Sequence, residues 1–110
     1  MIEKKLLEYK DENVLRITFD GFFDYKEFEE VRRTLREEIG VRRDFFSYGW
    51  ESATGKTVFE GITLEWKFNN WDCIQLNYHN PSNPESVEKV RSWAKIIFEN
   101  LIKKFGAEPS

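Results

Sequence analysis

One cysteine and one histidine in 110 residues set the first limits on this chain. Cys73 has no partner for an internal disulfide, and with His79 as the sole imidazole the set argues against a zinc site. No apolar run approaches the ~20 residues of a membrane-spanning helix. The opening MIEKKLLEYK lacks the apolar stretch of about 7–15 residues that marks a secretory signal. The plain expectation is a cytoplasmic protein. Positive charge is not in surplus either. A net charge of −3 and a pI near 5.3 weigh against nonspecific nucleic-acid binding, which depends on neutralising phosphates. Repeats, linkers and low-complexity tracts are missing, so residues 1–110 are expected to form a single α+β domain with one core.

Aromatic side chains are what the chain has in quantity: ten Phe, four Tyr and four Trp. The organising stretch is Thr57 to His79, which reads as two strands, TVFEGITLEWKF and DCIQLNYH, around an Asn-Asn-Trp tip. Asn tolerates the left-handed backbone of a tight reversal. A two-residue Asn69-Asn70 loop would set Trp66 opposite Cys73. A loop one residue longer pairs Phe68 with Asp72, Trp66 with Ile74, Leu64 with Leu76 and Ile62 with Tyr78. Only the longer loop gathers the large apolar residues on one face, leaving Thr63, Glu65, Lys67, Cys73, Gln75 and Asn77 on the other. The first strand of this pair runs about twelve residues, beyond the usual ~5–6. Phe59 and Ile62 differ in parity, so a β-bulge is expected at Glu60-Gly61.

Upstream, residues 2–10 and the alternating Val14 to Phe19 read as a hairpin around Asp11-Glu12-Asn13. Asp24 with Glu27 three residues on is an Asp form of the capping box, with Phe23 and Phe28 as its staple. Phe28, Val31, Leu35 and Ile39 recur at helical spacing until Gly40, a left-handed cap. Glu29 can pair with Arg32 and Arg33 on the outer face. Asp44 to Ser52 is strand-like, and Ala53-Thr54-Gly55-Lys56 reads as the turn after it. Asn83 and Pro84 start a second helix that runs to about Phe105. Its apolar arc, from Val87 to Phe105, spans close to half the wheel, with Ile96 outside it. That breadth implies contact with both the sheet and the first helix, or a homodimer through this helix. The expected architecture is a mostly antiparallel sheet of about five strands, order ββαβββα, with both helices on one face.

Several motifs fail on inspection. Ser52 to Thr57 (SATGKT) resembles a phosphate loop, but five residues rather than four separate Gly49 from Gly55, and strand sequence follows instead of a helix. His79 has no nucleophile placed with it, and reads as a surface or capping residue. Glu51 and Glu60 as a glycosidase pair would need a deep cleft. Arg32, Arg33, Arg36, Arg42 and Arg43 are interleaved with Glu29, Glu30, Glu37 and Glu38, which describes a solvated helix face. No catalytic residue, cofactor or metal is expected.

The aromatics left without core positions are the better lead. Tyr48, Trp50 and Trp71, beside Glu51 and Asp72, have the character of interface anchors. The expectation is a small protein-binding module, an inhibitor or toxin-neutralising (immunity-type) protein that occludes a partner, with the carboxylates suiting a basic one. The alternative is a small-ligand or anion-binding domain that uses the polar sheet face (Glu65, Gln75, Asn77) or the arginine cluster.

Overall fold

The computed structural model describes residues 4–49, 52–69 and 72–106. In chain order the elements are β1 (Lys5–Lys10), β2 (Val14–Asp20), α1 (Tyr25–Thr34), β3 (Phe45–Tyr48), β4 (Ser52–Phe59), β5 (Ile62–Asn69), β6 (Asp72–His79) and α2 (Pro84–Phe105). The strands form one antiparallel sheet in the order β1-β2-β6-β5-β4-β3. The fold is α+β as expected, with six strands rather than five.

The extra strand comes from dividing the long one. Glu60 and Gly61 both take positive φ (52° and 76°), and Phe59 pairs directly with Ile62. This is a two-residue hairpin turn, not a bulge, and it resolves the parity conflict by placing both apolar residues on one face. Ala53 to Lys56 is accordingly not a turn but the middle of β4, and the strand expected over Asp44–Ser52 contracts to Phe45–Tyr48. The β5–β6 register also differs. Trp66 pairs with Leu76 and Leu64 with Tyr78, two residues from the expected partners, while Asn69 pairs with Asp72 across a two-residue tip. A register shift between Lys67 and Asn69 sets Cys73 and Ile74 against Phe68 alone, so β6 carries a bulge. A displacement of two keeps every side chain on its face. Ile62, Leu64, Trp66, Phe68, Ile74, Leu76 and Tyr78 are all buried on the helix side.

The capping box of α1 is formed. Asp24 Oδ1 accepts the Glu27 N–H at 2.9 Å, and Glu27 Oε1 accepts those of Asp24 (3.2 Å) and Phe23 (2.7 Å). Phe23 itself stays exposed; Phe22 enters the core in its place, edge-on to Phe98. Beyond Thr34 the helix continues as a π-helical turn, Leu35–Ile39, closed by Gly40 at φ 103°. Asn83 caps α2, its Oδ1 accepting the Ser86 N–H at 2.8 Å. The broad arc of α2 is spent internally. Val87, Val90, Trp93, Ala94, Ile97 and Leu101 are buried, with Phe98, Ile102 and Phe105 packed against the same core. The two helices are tied by buried Glu30, which accepts from Arg33 (Nε, 2.9 Å) and from Lys104 (3.2 Å). Among the described residues no helix packs on the other sheet face.

Candidate functional site

Strand order decides which side chains share the face away from the helices. Arg16 and Thr18 of β2 lie opposite Asn77 and Gln75 of β6, which in turn face Glu65 and Lys67 of β5. Glu65 gathers three partners, His79 at 3.4 Å, Lys56 at 3.8 Å and Lys67 at 3.9 Å. Asn77 is only 1% exposed despite its outward position, and its Oδ1 accepts from Arg16 Nε at 2.9 Å. Its Nδ2 is buried with no hydrogen-bond partner. Towards the β5–β6 tip the face dips into a polar hollow of about 410 Å³, lined by Arg16, Thr54, Lys67, Asp72 and Gln75 among others. Lys67 was already on the expected polar face, whereas Arg16 escaped the sequence reading because the β2–β6 adjacency was not legible, and Thr54 because Ala53 to Lys56 read as a turn.

The same end of the sheet holds the expected anchors that can be described. Tyr48 is opposite Ala53, Ser52 is opposite Asn69, and Asn69 is opposite Asp72, so the end of β3 and the start of β6 lie at the same end of the sheet, with β4 and β5 between them. Asp72 is exposed and tied to Asn69, whose Oδ1 accepts its N–H at 2.9 Å. Tyr48 lies on the opposite, helix-side face. It stacks on Phe46, touches Tyr25 and Phe28, and donates its hydroxyl to Glu29. Partial burial, then the Glu29 carboxylate, pushes the Tyr48 phenol up to about 12. With 49% of its surface exposed, Tyr48 both closes the core's edge and offers a ring face to solvent. Tyr25 fastens this end to α1, its hydroxyl donating to the Gly49 carbonyl at 3.2 Å. Trp50, Glu51 and Trp71 lie outside the described residues.

The arginines divide. Arg33 pairs with Glu30, Glu37 and Glu38, and Arg32 lies 3.7 Å over the Phe46 ring beside Asp44. Neither pairs with Glu29. Arg36 and Arg42 have no ion pair among the described residues, and they share a groove of about 720 Å³ with Arg32, Arg33, Glu29 and Glu37. Cys73 meets Asp20 Oδ1 at 3.5 Å, and burial pushes its thiol up, the reverse of what a nucleophilic cysteine requires. Glu60 sits in the β4–β5 turn, paired with Lys89 at 2.8 Å. Among the described residues no group of three His, Cys, Asp or Glu could hold a metal ion, and no helix is long and apolar enough to cross a membrane. Comparison with family models, with curated proteins and with solved structures found no match.

Proposed function

We propose that the chain is a small cytoplasmic, non-enzymatic protein-binding module, an inhibitor or toxin-neutralising (immunity-type) protein that acts by occluding its partner. The reading is supported by one convergence: Tyr48 and Asp72, twenty-four positions apart in sequence, flank the same end of the sheet. Trp50, Glu51 and Trp71 stand between them in sequence, and Trp and Tyr are the anchor types that dominate interface energetics. Asp72 would steer a basic partner, chiefly through the association rate. The test uses the purified protein as bait in a lysate of its native host, followed by binding measurements on the recovered partner. A single stoichiometric partner whose affinity falls by about 30-fold or more with Trp71→Ala, at unchanged melting temperature, supports the reading. Unchanged affinity, or loss of the fold, removes Trp71 from the site.

The groove shared by Arg36 and Arg42 favours a second reading, an anion-binding domain, because its lining holds four arginines against Glu29 and Glu37, and Arg36 and Arg42 make no ion pair among the described residues. Thermal stabilisation by inorganic phosphate that disappears in Arg36→Gln/Arg42→Gln would support it, since ligand binding to the folded state raises stability by mass action.

A further inference from the structure

We propose that the polar hollow near the β5–β6 tip binds a small hydroxylated ligand bearing one oxyanion, a carboxylate or phosphoryl group, received between Arg16 and Lys67. The observation that carries this is the way Arg16 is held. Asn77 stands in the middle of β6, on the face away from the helices, where a β-branched side chain would suit the strand better. It is 1% exposed, its Oδ1 accepts from Arg16 Nε at 2.9 Å, and its Nδ2 is buried without a hydrogen-bond partner. An unpaired buried donor works against folding and calls for a reason. Stability does not supply one, but the direction given to Arg16 does. With Nε committed to Asn77, the terminal nitrogens of Arg16 have no acceptor among the described residues, and Arg16 lines the hollow of about 410 Å³. A guanidinium fork matches two oxygens of one carboxylate or phosphoryl group.

The surrounding charges leave that fork free. Asp11, whose charge Arg16 feels, is occupied by the Asn13 and Val14 N–H groups and the Tyr9 hydroxyl, and makes no ion pair with Arg16. On the other side of β6, Lys67 approaches Glu65 only at 3.9 Å, too long for a hydrogen bond. Asp72 is the sole carboxylate lining the hollow among the described residues, and it already accepts from Asn69 Nδ2 at 3.2 Å. Two cations against one carboxylate leave one positive charge, which a single oxyanion balances. The remaining polar lining suits hydroxyl groups. Ser52, Thr54 and Gln75 can each donate and accept, and their side chains bond no other described residue. The volume falls within the ~300–1,000 Å³ of small-molecule sites.

The experiment is a proton–nitrogen NMR titration of the whole chain at low salt with gluconate, with sorbitol and with the terminal phosphate ester of sorbitol. Gluconate tests the carboxylate, the ester tests the phosphoryl group, and sorbitol tests the hydroxyls alone. At least one anion should shift the Arg16 Nε–H and Gln75 side-chain signals with a Kd of about 1 mM or below, and sorbitol should bind about tenfold more weakly or worse. The tighter of the two anions names the oxyanion. Arg16→Gln should weaken it by about tenfold or more, through loss of charge-assisted hydrogen bonds. Because Arg16 also satisfies buried Asn77, Lys67→Gln is the safer variant: its side chain is 46% exposed, and the melt should not move while affinity falls about fivefold. Arg36→Gln/Arg42→Gln should bind as the wild type does, which separates this hollow from the groove beside α1. The proposal is overturned if neither anion moves these signals up to about 50 mM, or if sorbitol binds as well as both anions. Affinity indifferent to Lys67→Gln, or lost in the Arg36/Arg42 double variant, overturns it equally.

Discussion

Gly55→Ala is expected to unsettle this fold more than its size suggests. Gly55 is directly opposite Trp66, and the indole lies across the glycine backbone. A Cβ at position 55 would stand 2.4 Å from Trp66 Cε2 and 2.6 Å from Nε1. Ordinary contact begins near 3.4 Å, so the indole must retreat by about 1 Å, and interiors packed at crystal density yield little. Trp66 has no room to retreat into: it is fully buried, with the Phe46 ring 5.7 Å away. Overpacking of this kind costs typically about 1–3 kcal/mol. At a site without the indole, the same change would stabilise by about 0.4–1 kcal/mol through the unfolded chain. The assay is urea denaturation by far-ultraviolet circular dichroism on Gly55→Ala, Trp66→Leu and the double variant. Gly55→Ala alone should lower the midpoint at constant slope. In the Trp66→Leu background it should be neutral or stabilising, for a coupling of about 1–4 kcal/mol. Equal costs in both backgrounds, or no cost in either, would refute the account of why glycine stands there.

Asp24→Ala should cost about 0.5–2 kcal/mol, because it leaves the Glu27 N–H unpaired at the start of α1; an unmoved urea midpoint counts against it. Hydrogen bonds from Arg33 hold the Glu30 carboxyl below its ordinary value. A depressed carboxyl contributes stability that is present above its unfolded pKa and lost as pH falls through the folded one. Glu30→Gln should therefore flatten the acid limb of a stability–pH profile below about pH 4–5, which thermal melts at stepped pH would read. Glu27 has the opposite sign, since burial pushes it up. Its contribution is present below the unfolded pKa and lost as pH rises through the folded one. Glu27→Gln should thus compare best with the wild type at neutral pH and fall further behind it in acid, and a deficit that shrinks as pH falls would contradict it.

What the sequence announced and what it hid divide along physical lines. Helix starts were legible because capping is local: Asp24 and Glu27, or Asn83 and Pro84, need only each other and the backbone. The helix-side faces of β5 and β6 were legible because burial imposes period two. The register was not, since pairings two residues apart give the same faces, and the bulge at Cys73 and Ile74 takes up the difference. Ala53 to Lys56 has turn composition, yet Gly55 answers to Trp66, a contact across strands that no local pattern carries. Glu60-Gly61 was the reverse case. Its glycine was noticed, but an acidic residue at φ 52° is an uncommon first member of such a turn. The site follows the same division. The aromatic and acidic residues stood out by type, whereas placing Tyr48 at the same sheet end as Asp72 required the full β3–β4–β5–β6 order.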